Sequence, residues 1–122
     1  MKSPNRIAPR RGWVYMADLD PAYGTEPGKL RPVLALQTDL LNPRHASTVV
    51  LPMTTNVFSQ SRVLRVHLKK GEAGLNADSD VMVDQLRAID NRRLKRALGA
   101  APAHCLEEIA RNLAILLDLP GA

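Results

Sequence analysis

The chain has 122 residues and a mass of 13.4 kDa, with 45% hydrophobic and 24% charged residues; this fits one globular domain and excludes a multidomain enzyme or a wholly disordered polymer. Its only aromatics are Trp13, Tyr15, Tyr23 and Phe58, too few for a nucleic-acid reader built throughout on stacked rings. Lys and Arg total 17 against 12 Asp and Glu, giving a formal charge of +5, and 12 of the 17 are Arg, a bias that favours phosphate-bearing partners.

Residues 1–11 carry Pro4, Pro9 and the cations Lys2, Arg6, Arg10 and Arg11 with no acid, the composition of a flexible basic arm. Residues 12–122 form the expected domain. Short β-type runs follow at 13–18, 33–38, 47–54, 62–69 and 79–89, rich in β-branched or bulky apolar residues. The clearest alternation sets Leu64, Val66 and Leu68 against Arg65, His67 and Lys69, one apolar face and one cationic face. Turn chemistry lies between the runs, at Pro21 to Gly28, Asn42–Pro43, Lys70–Gly71 and Gly74. Strands so spaced predict a small, mainly antiparallel barrel. Residues 91–100 suit either a short helix or a strand. Leu106, Ile109, Ala110, Leu113 and Leu117 mark one face of a C-terminal helix, opened by Pro102 and stopped by Pro120–Gly121.

Several chemistries lack their motifs. Between Gly24 and Gly28 lie only three residues, and Leu30 follows Lys29, so a phosphate loop fails on spacing and on its missing hydroxyl. His45, His67 and His104 share no spacing and read as solvated side chains rather than a catalytic pair. Asp18, Asp20, Asp78, Asp80 and Asp84 form no metal-ligand pattern, so no metal or cofactor is expected. A lone cysteine, Cys105, reads as packing and fits a reducing, cytoplasmic setting. Neither a signal peptide nor a membrane span is expected.

Five blocks carry a specific likeness: Arg11–Pro21, Gly24–Val33, Gln37–Asn42, Val50–Thr55 and Val83–Leu94. In this order and spacing the chain resembles the MazF/PemK family of toxin endoribonucleases over roughly nine-tenths of its length. The resemblance implies an SH3-like barrel that forms a homodimer, cuts single-stranded RNA at short sequences without a metal, and is neutralised by an antitoxin whose C-terminal segment covers the RNA site. It places the family's catalytic arginine on Arg31 and its catalytic threonine on Thr54, with Glu26 matching a loop glutamate assigned to proton transfer. Thr25 and Gln85 match RNA-contacting positions, and Asn42 matches a structural one. Trp13 stands where an acidic residue is common, and Met53 where a β-branched one is usual.

The chemistry of these side chains suits the implied reaction. A guanidinium is a fixed fork of donors for a crowded phosphate, a threonine hydroxyl holds a non-bridging oxygen or orients the attacking 2′-hydroxyl, and Glu26 is the only ionisable base in the matched blocks. Backbone contacts are expected from Lys29, Arg31, Arg62, Arg65, Lys69 and Arg87, although Arg62, Arg65 and Lys69 fit a solvated strand face equally well. Tyr23 and Phe58 suit either stacking on a base or loop packing. Two other readings stay open: a toxin of the same barrel type that binds DNA gyrase without catalysis, and a basic barrel that only binds nucleic acid.

Overall fold

The computed structural model describes residues 7–58 and 64–120. Its strands are β1 (Trp13–Asp18), β2 (Leu30–Ala35), β3 (Ser47–Thr54), β4 (Arg65–Leu68), β5 (Ser79–Met82), β6 (Arg87–Asp90) and β7 (Leu94–Ala100), followed by one helix, α1 (Ala103–Leu116). All pairs are antiparallel in the order β4-β5-β3-β2-β1-β7, with β6 also paired to β3. This is the expected mainly-β domain with a C-terminal helix. Among the described residues β4 and β7 do not pair, so the sheet curls as a barrel does without closing.

Both faces of the central strands are buried, which is why their sequences run apolar without clean alternation. Val14, Leu34, Leu51, Met53, Val66, Leu68 and Val81 pack with Cys105 and Ile109 of α1 on one face. Tyr15, Ala17, Leu19, Val33, Ala35, Val50, Ile89 and Leu94 form the second cluster, against which Ile7 and Trp13 pack. In β4 the predicted alternation holds for buried Val66 and Leu68 against half-buried Arg65 and His67.

Some boundaries move for identifiable reasons. β2 begins at Leu30 because β1 pairs with it from Leu30 to Leu34. The expected strand at 79–89 is broken by a 3-10 turn at Val83–Gln85, where the chain passes from pairing with the end of β3 to pairing with its start. Residues 91–100 make both a 3-10 turn, Asn91–Arg93, and the edge strand β7. The buried face of α1 is Cys105, Ile109 and Asn112, with Leu106 and Leu113 beside it; Ala110 and Leu117, expected inward, are exposed. α1 ends at Leu116, before Pro120. No described helix is long and apolar enough to cross a membrane.

Of the basic arm, residues 1–6 lie outside the described residues. From Ile7 the chain lies on the sheet: Arg10 N–H donates to Tyr15 Oη at 2.8 Å, Arg11 N–H to Asp39 Oδ1 at 2.8 Å, and the Arg11 guanidinium to the Leu36 carbonyl. Burial raises the Tyr15 pKa, while the Arg11 N–H and the Asn42 amide lower that of Asp39. Asn42 is buried and donates to Gln37 O at 2.9 Å and Asp39 Oδ1 at 2.8 Å, a structural role as expected.

Candidate functional site

The loop from Leu19 to Lys29 is stapled at its base and open at its tip. Leu19 N–H donates to Lys29 O at 2.9 Å, and Lys29 N–H to Asp20 Oδ1 at 2.7 Å. Arg93, reaching across from the turn before β7, donates through Nη1 to Asp18 O at 3.0 Å and Asp20 O at 2.6 Å. Gly28 is required by this closure, since a Cβ there would lie 2.6 Å from Asp20 Oδ1 and 2.8 Å from Ala22 Cβ. Asp18, Asp90, Arg92, Arg93 and Lys95 line a cavity of about 340 Å³ on this flank.

The stapled loop delivers Arg31. Its Nε donates to Gly28 O at 2.8 Å and its Nη1 to Met53 O at 3.3 Å, so the guanidinium is held from both sides while other N–H groups remain for a ligand. β2 and β3 pair from Ala35↔Val50 to Val33↔Pro52, and Met53, whose carbonyl Arg31 holds, immediately precedes Thr54. Thr54 is half-buried at the end of β3, and its Oγ1 accepts from Asn56 N–H at 3.1 Å. A hydroxyl that accepts one hydrogen bond keeps its own proton to donate. Arg31 and Thr54 therefore form one edge of donors suited to an anion.

Glu26 is on the exposed tip of the loop, with Oε1 accepting from Tyr23 N–H at 3.0 Å. Tyr23, Thr25 and Lys29 are exposed on the same loop, and Lys29 has a positive φ of 66°. Gln85 is half-buried on the Val83–Gln85 turn, which packs against β3. Arg62 lies outside the described residues. Arg87, on β6, holds a buried Nη1 that has no hydrogen-bond partner among the described residues. Lys69 is exposed. Among the described residues no group of three or more His, Cys, Asp or Glu side chains could hold a metal ion.

A buried polar cluster adjoins Thr54. Asp80 is 2% exposed and is the cross-strand partner of Thr54 in the β3–β5 pair. Its Oδ2 accepts from Phe58 N–H at 3.0 Å and Arg65 Nη1 at 3.2 Å, and its Oδ1 lies 3.1 Å from His67 Nδ1. Arg65 Nη1 also donates to Asn56 O at 3.2 Å, and its guanidinium sits 4.9 Å from the centroid of the Phe58 ring. Arg65 and His67, readable as a solvated face, thus turn toward a buried carboxylate. At the far end of the segment, Asn112 of α1 accepts from Leu64 N–H at 2.7 Å. Sequence reasoning missed the roles of Asp80, Arg93 and Asn112; for Asp80 and Asn112 the available signal was a charged or amide residue inside an otherwise apolar strand or helix face, and for Arg93 there was none.

The chain matches the model of the PemK-like, MazF-like toxin of type II toxin–antitoxin systems over residues 10–117. It is 33% identical over 111 residues to the endoribonuclease MazF of Staphylococcus saprophyticus, covering 90% of this chain and 92% of the relative. Its structure is similar to that of MazF from Deinococcus radiodurans, with a TM-score of 0.80 at 27% identity, covering 92% of this chain and 98% of the other. A MazE–MazF structure from the same organism superposes with a TM-score of 0.74 at 26% identity, covering 93% and 98%.

Proposed function

The chain belongs to the PemK-like, MazF-like toxin family of type II toxin–antitoxin systems, and on that premise we propose that it is a sequence-specific endoribonuclease that cuts single-stranded RNA, messenger RNA included, without a metal. The Arg31–Thr54 edge carries this reading: a guanidinium held by the Gly28 and Met53 carbonyls, beside a hydroxyl that accepts from Asn56 N–H and keeps its own proton to donate. In-line attack by the substrate's own 2′-hydroxyl forms the new bond to phosphorus as the bond to the 5′-oxygen breaks. Charge collects on the non-bridging oxygens, where Arg31 and the Thr54 hydroxyl donate. Glu26, exposed on the loop tip, accepts the 2′-hydroxyl proton. The leaving oxygen takes a proton from solvent water, so the products are a 2′,3′-cyclic phosphate and a 5′-hydroxyl. Only an unpaired strand can splay its backbone for that geometry and offer its base edges to Tyr23, Thr25, Lys29 and Gln85, with Arg62 adding a backbone contact.

Loss of intact messages in the cytoplasm would stop translation, and a cognate antitoxin would neutralise the protein by laying its C-terminal segment over the same site. The complex of MazE with MazF among the structural neighbours supports that partner. A homodimer is proposed on the family premise and on the exposed apolar end of the helix, Ile115, Leu116, Leu117 and Leu119. Incubation with a long unstructured RNA in EDTA, with cut sites and end chemistry mapped, tests the reading. Discrete cuts at one short sequence with cyclic-phosphate ends are expected; intact RNA in the presence of folded, antitoxin-free protein overturns it.

A further inference from the structure

Asp80 is an expensive residue for the fold. It is 2% exposed on the strand face it shares with its cross-strand partners Thr54 and His67, and a buried carboxylate is strongly unfavourable unless its oxygens are met by donors. They are met by Phe58 N–H, Arg65 Nη1 and the His67 ring. Each of those donors belongs to the segment that leaves Thr54 or to the strand that receives it, so the carboxylate ties β4 and residues 56–58 to the strand end that presents the hydroxyl. The connection reaches Thr54 itself: Arg65 Nη1 holds Asn56 O at 3.2 Å, and Asn56 N–H donates to Thr54 Oγ1 at 3.1 Å.

The same contacts display an aromatic ring. Phe58 is 53% exposed, yet its backbone N–H is fixed on Asp80 and one face of its ring is covered by the Arg65 guanidinium at 4.9 Å. A cation on one face holds a ring in place and leaves the other face available. A large apolar side chain fixed in solvent beside a phosphate-binding edge has the makings of a stacking surface.

Resting on the endoribonuclease reading, we propose that Asp80 is a positioning residue of the RNA site, which through Arg65 holds the Phe58 ring beside Thr54 as the surface on which the base flanking the scissile phosphate stacks. Phe58 touches the substrate and Asp80 acts through it. The ring is sequence-tolerant in what it stacks, so the station contributes affinity and alignment at that nucleotide more than identity.

The test compares wild type, Asp80→Asn, Phe58→Leu and Phe58→Trp on a short RNA holding one cut site, with and without an abasic nucleotide at the flanking position. Wild type is expected to lose roughly tenfold in KM on the abasic RNA, the scale of one lost base stack. Phe58→Leu should show that loss already on the intact RNA and little more on the abasic one. Phe58→Trp should restore the wild-type KM, and Asp80→Asn should resemble Phe58→Leu. Equal KM for all variants on both RNAs overturns the inference while leaving the nuclease reading intact. Should Asp80→Asn not fold, Arg65→Gln takes its place with the same expected pattern. RNA left uncut by wild type overturns the function reading and this inference with it.

Discussion

Arg31 donates from Nη1 to the carbonyl of Met53 at 3.3 Å, so the guanidinium rests on the peptide group that carries Thr54. The pair is assembled by two different devices, a stapled loop on one side and a strand end on the other. Replacing Arg31 with Ala is expected to lower kcat by about 100- to 1000-fold, the scale of removing one preorganised donor from a developing oxyanion. Stability should change by less than about 2 kcal/mol, because only half-buried hydrogen bonds are lost. Thr54→Ala should act similarly, and Thr54→Ser should keep most activity. Single-turnover rates and thermal melts separate the two effects.

Arg87 is the reverse case. Among the described residues its buried Nη1 has no hydrogen-bond partner, and an unmet buried donor costs about 1–3 kcal/mol. Arg87→Met should therefore leave the melting temperature unchanged or raise it. If Arg87 meets a phosphate, RNA affinity should fall and the slope of log affinity against log salt should lessen by about one. Titrations of an uncleavable 2′-O-methyl RNA at several salt concentrations provide that slope.

Cys105 sets an alkaline limit. Burial on the packing face of α1 raises its pKa to about 11 from 9.0. The folded chain thus keeps a proton that the unfolded chain releases first. That contribution to stability is whole below about pH 9 and is lost as pH rises toward about 11. Tyr15, raised from 10.0 by burial, acts in the same direction. Melting temperatures should fall across this window, less steeply for Cys105→Ala. At pH 8 the native thiol should resist a disulfide reagent that labels it promptly in denaturant.

Asn112 joins the helix to the end of the segment beyond Thr54. Its Oδ1 accepts from Leu64 N–H at 2.7 Å and its Nδ2 donates to Glu108 O at 3.0 Å. Asn112→Leu should destabilise by about 1–3 kcal/mol by stranding the Leu64 donor. Asn112→Asp keeps that acceptor and should lose less. Denaturant melts of the two variants check the order.

Much of this architecture was legible in local pattern. β1 and β3 were bounded by their runs of bulky apolar residues, and Pro102 marked the start of α1. Pattern failed where tertiary pairing decided: the turn at Val83–Gln85 exists because β3 changes partner along its length, which nothing in Ser79–Ile89 reports. The face of α1 was misread because Asn112, a polar residue, points inward to bond Leu64, while Ala110 and Leu117 point out. Arg31 and Thr54 were singled out by likeness of blocks, since they lie 23 positions apart along the chain. Asp80 escaped because a single acid in a strand looks like a solvent-facing position until its cross-strand donors are known.

The change of partner along β3 also grades the molecule in time. Backbone amides of Val50 to Met53 sit in the centre of the sheet and should exchange with solvent deuterium only through near-global opening. A few residues later, past Thr54, protection rests on isolated contacts such as Phe58 N–H to Asp80. The Arg31–Thr54 edge thus lies where the β3 ladder ends and single contacts take over. Anything that binds there would appear as protection starting abruptly after Thr54, a boundary that isotope uptake can follow residue by residue.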